Sequence, residues 1–217
     1  MTLIALPGVY APQDDTALLA EALRAEALPP RAETLDVGTG TGALALAAAR
    51  RGAVVTAVDI SWRCVLSARL NARLARLPVR VLRGNLLAPV AGRSFDVILA
   101  NPPYVPAPSG AWPGHRAARA WDAGNDGRLL LDRICQEAPP LLRPGGVLLI
   151  VHSALCAEDP TLLRLRAAGL HAAVIERRQV AFGPVLRGRW SWLRSQGLVE
   201  EGQNKEELVV VRARRTS

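Results

Sequence analysis

The run Asp36-Val37-Gly38-Thr39-Gly40-Thr41-Gly42 restricts the fold of this 217-residue chain more than any other stretch. Before it, Glu33 to Val37 reads as a strand; after it, a helix is predicted from about Gly42 to Arg51. Glycines at such a junction let the chain turn tightly and bring backbone N–H groups close to a ligand. A strand that exits through glycines into a helix opens a βαβ unit, and βαβ units build parallel sheets.

The remaining chain keeps that alternation. Further strands are predicted at Val54–Asp59, Val79–Arg83, Phe95–Ala100, Val147–His152, Ala172–Ala181 and Glu207–Arg212. Helices are predicted at Thr16–Leu28 (capped by Asp14 or Asp15), Ser61–Arg76, Gly127–Leu142, Pro160–Ala168 and Leu186–Gln196. The expected fold is an α/β, Rossmann-like, seven-stranded and mostly parallel sheet with an antiparallel last strand and helices on both faces. One domain over 1–217 accommodates it, with 1–30 as an amino-terminal helical segment and 183–204 as a candidate substrate or partner surface.

Half of the residues are hydrophobic and 21% are charged, enough to bury a core and unlike a disordered chain. The apolar stretch Val147 to Val151 stops at His152, far short of the ~18 residues a membrane span needs. No basic residue precedes Pro7, which argues against a secretory signal. Three widely spaced cysteines, Cys64, Cys135 and Cys156, form no C-x-x-C pair. They fit a reducing cytoplasm rather than a disulfide framework or a metal site, and Cys64 and Cys135 read as small core hydrophobes. The net charge of +8 gives a field that attracts polyanions. Arg69, Arg73 and Arg76 share one helix face, read as a solvated surface before a phosphate-binding stripe, since surface charge runs are common, and with Phe and Tyr together only four, no base-stacking platform is marked.

Gly38, Gly40 and Ala43 also satisfy the looser dinucleotide fingerprint, so the glycine spacing alone is ambiguous. Asp36 shifts the balance. A carboxylate two residues before the first glycine repels a pyrophosphate but suits an ammonium, such as the methionine end of S-adenosylmethionine (SAM). Asp59, ending the second strand, is positioned for ribose hydroxyls in either reading.

Asn101-Pro102-Pro103-Tyr104 follows the fourth strand. The prolines stiffen the turn and remove two backbone donors. Asn101 can then offer its side-chain oxygen, and Pro102 its carbonyl, to a substrate NH2 group, with the flat ring of Tyr104 to stack on a planar amide or base. Two acceptors on its hydrogens aim the lone pair of a delocalised nitrogen at an electrophile. His115, His152 and His171 are scattered, and none is assigned a catalytic role.

On these residues the chain resembles a class I SAM-dependent methyltransferase of the HemK family of protein-glutamine N5-methyltransferases, over about Val9 to Arg212. Val9-Tyr10-Ala11-Pro12-Gln13-Asp14-Asp15-Thr16 is similar to the V-Y-x-P-x-E-D-T opening of its short branch, which implies that Thr16 touches the cofactor. The match over Leu35 to Gly42 implies that Asp36 and Gly38 line the methionine end of the SAM site, with Gly40 and Gly42 also cofactor-binding, Asp59 on its ribose, and Asn85 with Leu86 at its adenine end. The family usually carries Asp where Asn85 stands. Asn101, Pro102, Pro103 and Tyr104 match the substrate-binding tetrapeptide, with Asn101, Pro102 and Tyr104 in the catalytic role. Trp121 to Gly127 resembles the G-G-x-D-G stretch with Ala123 in place of one glycine, read as a helix cap built by Asp126 or Asn125.

The resemblance implies SAM as cofactor, no metal, a cytoplasmic enzyme, a protein substrate such as a peptide-chain release factor, and a small zinc-binding partner protein. With about thirty residues before the first strand, the amino-terminal helical domain of longer members is expected to be absent. The Arg-rich segment 183–204, with Trp190 and Trp192, is either a partner or substrate surface or packed on the sheet through Leu186, Trp190 and Leu193. Three rival readings remain at this point: a nucleic-acid exocyclic-amine methyltransferase acting on adenine or guanine, a non-catalytic SAM-fold partner subunit, and an NAD-dependent oxidoreductase.

Overall fold

The computed structural model describes residues 3–108 and 123–216. Seven strands, β1 (Glu33–Val37), β2 (Val54–Asp59), β3 (Val79–Arg83), β4 (Phe95–Ala100), β5 (Leu142–Ser153), β6 (Leu170–Ala181) and β7 (Lys205–Arg215), form one sheet in the order β3-β2-β1-β4-β5-β7-β6. The first five pair in parallel, and β7 runs antiparallel to both neighbours. Hydrophobic side chains bury β1 and β4 along nearly their whole length, as expected for central strands covered on both faces. From β1 the chain winds outward through β2 to β3, and from β4 outward the other way. The strand order therefore reverses between β1 and β4, and the crevice at their carboxyl ends is where such sheets bind ligands.

The helices are α1 (Asp14–Ala25), α2 (Ala43–Arg50), α3 (Trp62–Ala75), α4 (Leu129–Glu137), α5 (Asp159–Ala167), α6 (Pro184–Gly188) and α7 (Trp190–Ser195). Alanines let α2 approach closely, and a Cβ on Gly42 would stand 3.2 Å from the Ala68 Cα on α3. None of these helices is long and apolar enough to cross a membrane.

Several boundaries differ from expectation for local reasons. The N-cap of α1 is Gln13, without a side-chain cap bond, and the expected caps Asp14 and Asp15 fall in the first turn, where the Asp15 carboxylate turns inward. The helix predicted to reach Leu142 stops at Glu137, where Pro139 and Pro140 supply no N–H and crowd the preceding turn. The freed segment extends β5 back to Leu142, with an irregular register against β4 between Phe95 and Val97. The helix predicted over Leu186–Gln196 is two short ones, broken after Gly188. They bury Leu186 and Leu193 with Phe182 and Val199 in a small core of their own, and Trp190 packs against it. The N-cap of α4 is Arg128, not the expected Asp126 or Asn125, and the Asp126 carboxylate accepts from the Arg128 N–H one step before the helix. Trp121, Asp122 and His115 lie outside the described residues.

Candidate active site

A cavity of about 690 Å³ opens at the carboxyl ends of β1, β2 and β4. Gly38 and Gly40 take φ of +72° and +54°, the left-handed region where a side chain is strained. That turn lets the N–H groups of Gly38 and Thr39 both donate to the Val58 carbonyl, at 2.9 and 3.0 Å, locking the loop to β2.

Of the residues singled out from sequence, Thr16, Gly38, Gly40, Asp59, Asn85, Leu86, Asn101, Pro102 and Pro103 line this one cavity. Asp36, Gly42 and Tyr104 do not. Asp36 sits behind the glycine turn, 1% exposed, and its Oδ2 accepts from the Thr39 hydroxyl at 2.6 Å and the Ala45 N–H at 3.0 Å. Burial raises its carboxyl to about 6, against those two hydrogen bonds. Its Oδ1 is enclosed without a hydrogen-bond partner. Gly42 serves close packing of α2 on α3 instead of contacting the cavity. Tyr104 is turned inward, its hydroxyl donating to Asp15 Oδ2 at 3.1 Å, so its ring does not offer the stacking face expected of it.

Asp59 ends β2 with both oxygens engaged, Oδ2 by the Gly40 N–H at 3.0 Å and Oδ1 by the Ser61 N–H at 2.8 Å. The Cys64 thiol and the Ile60 N–H also bond this carboxylate, and burial holds the carboxyl above its ordinary value against all of these. Leu86 carries a φ of +46°, and a Cβ on Gly84 would stand 2.0 Å from Pro89 Cγ, so the turn after β3 depends on that glycine. Asn85 Oδ1 accepts from Arg133 on α4 at 3.3 Å. Asn101 directs Nδ2 at the Thr16 hydroxyl, 3.2 Å away.

Sequence reasoning missed part of the wall. Trp62, at the start of α3, is half exposed beside Asp59, and Arg63 lies over its ring. Their position directly after the acidic end of β2 was the available signal. Cys64, read as a core hydrophobe, also lines the cavity, and burial pushes its thiol up to about 12. His152 is fully buried away from the cavity, and burial lowers it to about 4, so the imidazole is neutral at physiological pH.

A glycine turn and an acidic strand end flank one crevice of a sheet ordered 3-2-1-4-5-7-6, and together they define a class I methyltransferase. Residues 1–110 match the family model described as the methyltransferase small domain, and the chain belongs to that family. It is a methyltransferase, and SAM is its cofactor.

A protein of Methanocaldococcus jannaschii, whose name assigns it provisionally to protein N5-glutamine methylation, is 36% identical over 177 residues, covering 81% of this chain and 88% of the relative. The release factor glutamine methyltransferase of Deinococcus radiodurans is 41% identical over 75% of this chain, which spans 57% of that relative. Among solved structures, the Mtq2–Trm112 complex of E. cuniculi, which methylates the termination factor eRF1, superposes with a TM-score of 0.68 at 22% identity, over 96% of this chain and 99% of that one. At that identity the likeness establishes the fold.

Proposed function

We propose that this methyltransferase acts on the side-chain nitrogen of a glutamine in a protein, a release factor foremost. When bound, SAM supplies a methyl group already activated on a sulfonium. The protein's task is therefore to hold and aim a poor nucleophile, and no strong base is needed for that.

The chemistry of the cavity wall, and of the groups directly behind it, fits this cofactor. The unpartnered Asp36 Oδ1 behind the glycine turn suits an ammonium. The Asp59 carboxylate on the cavity wall suits ribose hydroxyls, and Asn85 can accept from an adenine amine through its oxygen. Thr16, Gly38, Gly40 and Leu86 complete the wall, with Gly42 acting from behind it through helix packing.

The observation that carries the proposal is that Asn101 gives its amide nitrogen to Thr16. Its oxygen is then left for a substrate NH2, with the Pro102 carbonyl as second acceptor in a turn that Pro102 and Pro103 stiffen. Tyr104 acts by anchoring that turn to Asp15. Relatives named for glutamine methylation support the same acceptor.

The test is transfer of labelled methyl to a release factor with a Gly-Gly-Gln loop, followed by mass spectrometry. A 14-dalton increment on that glutamine, lost in Asn101→Ala, is expected. Methyl found on RNA or DNA alone refutes the glutamine assignment.

The reading includes a small, zinc-binding partner protein. Trp62, Leu66 and Leu74 are exposed along α3, beside the edge strand β3, and the E. cuniculi neighbour was solved with a second protein. Coexpression that raises both solubility and turnover supports such a partner, and full activity of the isolated chain argues against it.

A further inference from the structure

We infer that Asp15 is a positioning residue that sets the polarity of a hydrogen-bond chain and thereby decides which end of the Asn101 amide faces the substrate. The inference rests on the reading of Asn101 as the acceptor of a substrate NH2.

Four donors converge on the buried Asp15 carboxylate. Its Oδ1 accepts from the Thr16 N–H at 2.5 Å and the Thr16 hydroxyl at 3.1 Å. Its Oδ2 accepts from the hydroxyls of Tyr10 at 3.2 Å and Tyr104 at 3.1 Å. An ionised carboxylate only accepts, and a threonine hydroxyl has a single proton. With that proton given to Asp15, Thr16 Oγ1 has only lone pairs for its next neighbour. The neighbour, 3.2 Å away, is the amide of Asn101, which must then turn its NH2 toward Thr16. The Asn101 oxygen is left for the cavity.

Without Asp15 the Thr16 proton is free to point at Asn101. The amide then gains as much by turning its oxygen to Thr16, and its NH2 enters the cavity. A donor there meets the donor hydrogens of a substrate NH2, and the pairing fails. The two orientations of an amide occupy almost the same space, so shape alone does not choose between them. Asp15, on α1, and Asn101, at the end of β4, are thus coupled through one hydroxyl, and the tyrosines hold the other carboxylate oxygen in place.

The test compares Asp15→Ala and Asp15→Asn with Asn101→Ala, using SAM and a release factor with a Gly-Gly-Gln loop. Asp15→Ala is expected to lower kcat about 30-fold or more while the KM for SAM changes less than about threefold. Asp15→Asn should restore kcat to within about fivefold. The fixed Thr16 N–H compels its oxygen to face Thr16, which preserves the chain's direction. Adding Asp15→Ala to Asn101→Ala should cause no further loss.

Turnover unaffected by Asn101→Ala sinks the glutamine reading itself. Turnover lost in Asn101→Ala but retained in Asp15→Ala, or additive losses in the double variant, overturns only the role of Asp15. Should Asp15→Ala not fold, side-chain NMR of the 15N-labelled wild type with SAM decides. Slow solvent exchange of the Asn101 NH2 is expected, and exchange as fast as in a free asparagine overturns the inference.

Discussion

A Cβ on Gly127 would stand 2.3 Å from the Tyr104 carbonyl oxygen and 2.6 Å from Cys156 Sγ. The start of α4 is thus pressed against the substrate turn, and Gly127 also takes a φ of +73°. The glycines of this stretch do more than cap a helix. Gly127→Ala is expected to cost about 2–5 kcal/mol, from the left-handed backbone and the overlap together, and to lower turnover by displacing Tyr104. Gly52, with a φ of +81° and nothing within 4 Å of its Cβ, provides the control: Gly52→Ala should cost about 1 kcal/mol and leave turnover intact. Thermal unfolding and methyl transfer on both variants check this; equal losses would refute the contact argument.

The sheet and the crevice were legible because each rests on a local signal. Apolar runs marked the strands, and the glycines of Gly38-Thr39-Gly40 can only be a tight turn. The direction of Tyr104 was not legible: its type said what it can bind, but its hydroxyl turns to an aspartate 89 residues earlier. Asp36 is held by near neighbours instead, the Thr39 hydroxyl and the Ala45 N–H, behind the glycine turn. Asp15 was read as a helix cap because position alone suggested it; its four donors come from three residues, Tyr10 and Thr16 beside it and Tyr104 after β4. The segment 183–204 divided evenly between packing and partner surface until the burial of Leu186 and Leu193 supplied the packing half.

Asn85 stands where family resemblance leads one to expect an aspartate, and it is held by Arg133, which also pairs with Glu137 at 2.9 Å. An aspartate would keep the acceptor and gain an exposed ion pair worth about 1 kcal/mol at most. Calorimetric titration with SAM should therefore show Asn85→Asp within about fivefold of the parent and Asn85→Ala weaker by about five- to tenfold. Unchanged affinity in Asn85→Ala would remove Asn85 from the adenine site.

Burial lifts the Asp36 carboxyl to about 6, so protonation removes its charge in mild acid. An ammonium is held by the ionised form. SAM affinity should rise with pH through 6 and level off above it, falling by up to about tenfold per pH unit below. In Asp36→Asn the affinity should be weaker at neutral pH and nearly flat between pH 5 and 7. A wild-type profile equally flat would show that Asp36 does not bear on the cofactor.

Glu206 is buried at the start of β7, with Oε2 lacking a hydrogen-bond partner. Burial raises its carboxyl from 4.5 to about 7; the Ser153 hydroxyl opposes the shift and Asp15 adds to it. Between those values the folded chain keeps a proton that the unfolded chain releases. Stability contributed by the protonated form is therefore full below pH 4.5 and is lost as pH rises through 7, by about 3 kcal/mol at most. Asp36 has the same sign but completes its change near pH 6, so the interval from 6 to 8 isolates Glu206. Glu206→Gln removes the titration while keeping the shape. Urea unfolding should find this variant close to the parent at pH 5 and more stable at pH 8, with a shallower decline between 6 and 8. Parallel curves for the two proteins would mean that Glu206 ionises in the fold at no cost.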